Sequence, residues 1–222
     1  MVIFRGINTN YFNPQKILPI KLDKFSKQNN IDRNKFIILL PGRITYWKGQ
    51  KIFIEAIKLL YEKSDTPPLE AIILGSDQGR NVYKKQLIGL VQQHRLSKVI
   101  KFIDHCSEMP VAYGIANIVC SCSSEPEAFG RVAVESQSMQ VPIIASDIGG
   151  SKETIIKGKT GYLFKNKDPI DLANSITAVI QKNYNSIKSI GFEGRKNVLK
   201  KFDVDKMCQT TFTEYKKLIE LS

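Results

Sequence analysis

Short apolar runs alternate with longer amphipathic stretches from Phe36 to the end of the chain. Phe36–Leu40, Leu69–Leu74, Val99–Ile103, Ile118–Ser121 and Pro142–Ser146 are strand-sized, and turn residues such as Pro41-Gly42 and Gly75 close the first two. Between them, Gln50–Lys63 repeats apolar residues at Ile52, Ile54, Ala56, Ile57, Leu59 and Leu60, and Asn81–Arg95 sets Tyr83, Leu87, Leu90 and Val91 on one side. Both spacings predict helices. A short helix is expected through Tyr113 and Ala116, and another over Arg131–Met139. Asp168 before Pro169 reads as a helix cap and a first-turn proline, opening a helix to about Lys182. Helices over roughly Ile187–Lys201 and Asp205–Leu221 finish the chain. The alternation predicts an α/β fold: a Rossmann-like, doubly wound parallel sheet with helices on both faces.

The sheet begins only at residue 36, so residues 1–30 read as an appendage with its own extended start at Val2–Phe4. At 222 residues, with 42% hydrophobic and 24% charged content, the chain can bury a substantial core as a soluble globular protein. No apolar run approaches the length of a membrane span, and MVIFRGINTN lacks the pattern of a secretory signal. A cytosolic location is the expectation. The four cysteines fit it: Cys120 and Cys122 alternate along an apolar strand, Cys106 and Cys208 are isolated, and none has metal-site spacing. They are expected to be reduced and structural. The net charge of +12 has three readings: a solvated lysine surface, contact with an anionic membrane face, or nucleic-acid binding. The lysines are scattered over helix faces without interleaved aromatics, so the first is the default and nucleic acid is disfavoured.

Chemistry concentrates in Ser124–Glu153, SEPEAFGRVAVESQSMQVPIIASDIGGSKE. Glu127 and Glu135 flank a Phe129-Gly130 turn that opens a helix, and a Gly149-Gly150 pair follows. A glycine turn lets backbone approach a ligand, and a helix N-terminus offers N–H groups and a positive dipole end to an anion. Two carboxylates beside an anion make sense where they face neutral hydroxyls, as an acidic residue faces ribose in dinucleotide-binding folds. A second cluster, Gly42-Arg43-Ile44-Thr45-Tyr46-Trp47-Lys48-Gly49, directly follows the first strand. Ligands of doubly wound sheets lie beyond the strands' carboxyl ends, where Arg43 and Lys48 would hold a diphosphate.

Together these motifs resemble the C-terminal, donor-binding half of retaining GT-B glycosyltransferases of family 4, the glycosyl transferases group 1. The resemblance rests on Gly42, Arg43, Lys48 and Gly49, on Glu127 and Glu135, on Gly149, Gly150 and Glu153, and on a Thr160–Phe164 strand. The opening VIFRGINTNYFNP is similar to the family's interdomain segment. The resemblance implies three regions: residues 1–30 as interdomain lead-in, 31–202 as the nucleotide-sugar domain, and 203–222 as a helix crossing to an N-terminal half. It further implies catalytic roles for Glu127, Arg43 and Lys48, with Glu127 on the donor sugar, Glu135 on the ribose, and Arg43 and Lys48 on the diphosphate. Phe129 and Gly130 would add backbone N–H groups. No metal or other cofactor is expected, because the cations replace it.

Some positions depart from the family. Gly75-Ser76-Asp77 stands where Gly-Asp-Gly is usual, and Asp104-His105 where Gly-His is usual. His105 is read as pocket-lining or surface rather than an acid/base group, His94 as solvated, and Trp47 as either shielding the phosphate loop or packing on it. Met207, Thr211, Tyr215, Leu218 and Ile219, with Phe212 nearby, form an apolar stripe that invites a partner domain or a second copy. The expected function is transfer from a nucleoside-diphosphate sugar to an envelope saccharide or lipid-linked acceptor, in lipopolysaccharide biosynthesis, at or near the inner membrane face. The acceptor-binding half would lie on another chain, be left out of this sequence, or have been lost. The alternative is a non-catalytic remnant or split-gene module that binds nucleotide or a partner domain without turnover.

Overall fold

The computed structural model describes residues 2–63, 66–79 and 81–220. In chain order the elements are α1 (Pro19–Gln28), β1 (Phe36–Pro41), α2 (Gln50–Tyr61), β2 (Leu69–Leu74), α3 (Asn81–Gln93), β3 (Ile100–Ile103), α4 (Met109–Ile115) and β4 (Ile118–Ser121). Then come α5 (Arg131–Ser138), β5 (Ile143–Ser146), α6 (Ser151–Thr154), β6 (Tyr162–Phe164), α7 (Pro169–Ile180), α8 (Tyr184–Lys201) and α9 (Val204–Glu220). The strands form one six-stranded sheet in the order β3-β2-β1-β4-β5-β6, every neighbouring pair parallel.

Successive side chains of a strand point to opposite faces, and both faces of this sheet are covered. Ile38 and Leu40 of β1 join a core with α2, α3 and α7, through Phe53, Ile57, Leu87 and Ile176. Ile37 and Leu39 join the opposite core, with Tyr113, Val134 and Val198 from α4, α5 and α8. This is why β1, β2, β4 and β5 read as unbroken apolar runs. Glu70 is the exception on β2: 3% exposed, its carboxylate lies 3.3 Å from Lys35 Nζ and 3.0 Å from Lys101 Nζ.

The expected extended start at Val2–Phe4 forms no strand. Its segment pairs through an isolated parallel bridge between Ile7 and Asp203. There the Ile7 N–H donates to the Phe202 carbonyl at 2.8 Å, and the Val204 N–H donates to the Ile7 carbonyl at 3.0 Å. Phe4 meets the Phe202 ring edge-on at 5.5 Å, and Ile7 and Phe12 are buried in the second core. Residues 1–30 also contain a helix that the sequence reading does not name: α1 packs on α4, with Leu22 and Phe25 against the second core. Asp168 caps α7 as expected, accepting from the Ile170 and Asp171 N–H groups at 3.0 and 3.1 Å. No described residue of α9 is buried: Met207 and Thr211 are half-buried, while Phe212, Tyr215, Leu218 and Ile219 are exposed. The Leu221 end expected for this helix lies outside the described residues. No described helix is long and apolar enough to cross a membrane.

Candidate functional site

The order of a doubly wound sheet reverses between β1 and β4, and the crevice outside their carboxyl ends is where such sheets hold ligands. Both motifs emerge there. Arg43 and Lys48 follow β1, and Glu127 follows β4. The β1 loop is tied to the β4 loop by the Ser124 N–H, which donates to the Trp47 carbonyl at 2.7 Å. Gly49 makes the approach feasible: its φ is +72°, and a Cβ there would overlap the Cys122 carbonyl. Gln50, 1% exposed, donates from Nε2 to the Arg43 carbonyl at 2.9 Å and fixes the start of the loop.

A cleft of about 440 Å³ opens beside this loop, lined by Gly42, Arg43, Lys48, Asp104, Tyr113 and Glu135 among others. The Glu127-to-Gly130 turn is held from behind. The Gly150 N–H donates to the Glu127 carbonyl at 2.7 Å, and a Cβ on Gly150 would come 2.6 Å from the Phe129 carbonyl carbon. Gly130, in the left-handed region, starts α5 with no side-chain cap. The first N–H groups of that helix stand where the sequence reading expects an anion.

The charged groups are arranged in pairs. Lys48 Nζ lies 2.8 Å from Glu127 Oε1, with the two side chains only 14% and 17% exposed. Ser123 Oγ donates to the same carboxylate oxygen. Lys48 Nζ also sits 4.4 Å from the centre of the Trp47 ring, and the Arg43 guanidinium 6.0 Å from it. Trp47 therefore packs on the loop as a platform for its cations. Glu135, 6% exposed, accepts from Arg131 Nε and Nη2 at 3.0 and 2.9 Å and from the Tyr113 hydroxyl at 2.8 Å. Asp104 is paired with Lys84. The repulsion that two carboxylates would exert on an anion is thus countered locally, a cation beside each. Among the described residues Arg43 has no carboxylate partner, which leaves its charge available.

Burial and then the neighbouring Glu135 push the Tyr113 hydroxyl pKa well above 10.0, so this group stays a donor. Burial likewise raises the Cys120 and Cys122 thiols, and all four cysteines are free. His105 is exposed and lines the cleft, in keeping with its expected place. His94 differs from expectation: it is not merely solvated, because Nε2 lies 3.1 Å from Glu55 Oε1 and links α3 to α2.

Not every expected site residue shares one wall. Glu127 and Phe129 lie beside the cleft lining. Glu127 reaches it through Lys48, whereas Phe129 lines a neighbouring cavity of about 630 Å³ and packs edge-on against Phe202 at 5.9 Å. Arg131, Glu135 and Met109 border both spaces. Arg131 and Tyr113 were not singled out as site residues from the sequence. The i, i+4 spacing of Arg131 and Glu135 is a readable helix pairing, but Tyr113 comes from another helix, and only the fold brings it in.

An open parallel sheet with a cation-bearing cleft at its reversal point defines an α/β domain of the Rossmann class. The chain belongs to the glycosyl transferases group 1, the family that residues 22–197 match. It is 28% identical over 193 residues to the capsular polysaccharide biosynthesis glycosyltransferase CapM of Staphylococcus aureus, covering 82% of this chain and 48% of that protein. Its fold is that of solved GT-B glycosyltransferases. A glycosyltransferase from Rickettsia africae ESF-5 superposes with a TM-score of 0.94 at 31% identity, over 100% of this chain and 58% of the other. Anabaena Alr3699/HepE in complex with UDP-glucose gives 0.87 at 26% identity, over 98% and 57% of the two chains. The chain spans no more than about half the length of the curated relatives it matches.

Proposed function

We propose that this chain binds a nucleoside-diphosphate sugar as the donor half of a retaining, family 4 glycosyltransferase. The observation that carries the reading is the cleft at the β1–β4 reversal point, where Arg43, Lys48 and Glu135 line one space and Glu127 is joined to it through Lys48. Arg43 and Lys48 hold the diphosphate and stabilise the charge that develops as it leaves. Glu127 takes the donor-sugar hydroxyls and Glu135 the ribose, with the N–H groups after Phe129 and Gly130 on the phosphates. UDP is the first nucleotide to consider, since HepE binds UDP-glucose in a similar fold. The acceptor is an envelope saccharide or lipid-linked glycan of the lipopolysaccharide kind, reached from the cytoplasmic side. That this set of four charged residues stands at one crevice favours a working donor site over a decayed remnant.

Isothermal calorimetry with UDP, GDP and ADP tests the reading. Weak binding of at least one diphosphate, abolished by Glu135→Ala, is the expected result. No binding of any of the three would overturn it. Thermal-shift measurements over a panel of nucleotide sugars then rank the donors, because a bound ligand raises apparent stability by mass action.

A further inference from the structure

Both carboxylate oxygens of Glu135 already carry hydrogen bonds. Oε1 accepts two from Arg131, at 3.0 and 2.9 Å, and Oε2 accepts one from Tyr113 at 2.8 Å. Each carboxylate oxygen offers about two lone-pair sites, so Oε1 is filled and Oε2 retains one. Tyr113 is fully buried and cannot turn away. Arg131 is different. Its side chain is 68% exposed, yet two of its nitrogens grip a carboxylate only 8% exposed. It is the first residue of α5, at the seam between the cleft and the neighbouring cavity.

We propose that Arg131 is a positioning residue for the nucleotide ribose: with Tyr113 it clamps Glu135 so that one acceptor site faces the cleft, and the protein reads a single ribose hydroxyl. The inference rests on the cleft being a nucleotide site. A forked pair fixes the plane of the carboxylate, whereas a carboxylate held at one oxygen pivots. Without Arg131 the freed oxygen could accept from either hydroxyl, and discrimination between them would fade.

The test is calorimetry on the whole chain with UDP, GDP and ADP and with the 2′-deoxy and 3′-deoxy forms of each. One of the two deoxy forms should bind about tenfold more weakly than its parent, because its loss leaves a desolvated carboxylate site unpaired, and the other should stay within about threefold. Arg131→Met should lower the melting temperature by a few degrees while the chain stays folded, weaken the parent nucleotide about fivefold, and shrink the deoxy discrimination to about twofold. Arg131→Lys, which keeps the charge but loses the fork, should not restore that discrimination. Equal weakening by both deoxy forms overturns the single-acceptor claim. Unchanged discrimination in Arg131→Met, alongside its loss in Glu135→Gln, overturns the role of Arg131 and leaves the nucleotide reading standing. No binding at all, or no deoxy effect in the unaltered chain, overturns the nucleotide-ribose reading itself.

Discussion

Lys48 and Glu127 form one ion pair, 2.8 Å from nitrogen to oxygen, although the first is assigned to the diphosphate and the second to the sugar. Glu127 and the diphosphate therefore compete for the same ammonium group. Lys48→Met should weaken UDP binding about tenfold or more, the scale of a charge-assisted hydrogen bond. Glu127→Gln should do the reverse for UDP, which has no sugar, and tighten it about fivefold by releasing Lys48 from a pair of about 1 kcal/mol. Calorimetry on both variants reads the two signs. Parallel weakening in both would show that the pair does not compete with the ligand.

Gly150 is placed for close contact with the turn that carries Glu127. A Cβ there would stand 2.6 Å from the Phe129 carbonyl carbon and 2.7 Å from its oxygen, both backbone atoms that cannot swing aside. Gly150→Ala should cost about 1–3 kcal/mol, as overpacking does, and lower the melting temperature by several degrees. It should also weaken nucleotide binding, because the N–H groups after Phe129 and Gly130, assigned to the phosphates, shift with the turn. Calorimetric melting beside a UDP titration measures both effects, and an unchanged melting temperature would rule out the close packing.

Asp168 gives an acid-range prediction. The Asp171 N–H above all, with the Ile170 N–H and Lys165, holds its carboxyl below the ordinary 3.8 against an opposing effect of desolvation. A lowered folded-state value means that the stabilisation is complete above 3.8 and is lost as pH falls through the lower value. Asp168→Asn keeps a capping oxygen without the charge. Urea melts should show the variant less stable than the unaltered chain at neutral pH, with the gap closing in strong acid. A gap that does not depend on pH would remove the charge from the explanation.

The thiols divide by burial. Cys208 is exposed and Cys106 half-buried, while Cys120 and Cys122 are buried on and just after β4 with their thiols raised. A thiol-labelling time course should modify Cys208 first and Cys106 more slowly, since burial raises that thiol too. Cys120 and Cys122 should react only on unfolding in denaturant. Rapid labelling of all four in the native protein would contradict this packing.

The sheet was legible because burial on both faces forces continuous apolar strands, and each expected strand from Phe36 onward lies within two residues of its observed span. Helix α1 was hidden by its composition. Pro19–Gln28 carries three lysines and an aspartate over a thin apolar side, Leu22 and Phe25, and finds its cover on α4. The extended start failed for the opposite reason: Val2–Phe4 has strand-like residues but no neighbouring strand, and pairing narrows to Ile7. At the site, residue types and spacing gave Arg43, Lys48, Glu127 and Glu135. How they pair is a property of the fold, so the bonds from Lys48 to Glu127 and from Tyr113 to Glu135 could not be read along the chain.

The crossing of Ile7 with Asp203 has a mechanical side. The bridge is parallel, so the segments before Ile7 and after Asp203 leave it in opposite directions. Tension between residue 2 and α9 would load its two backbone hydrogen bonds along the strand direction, in shear, and both must yield together rather than one after the other.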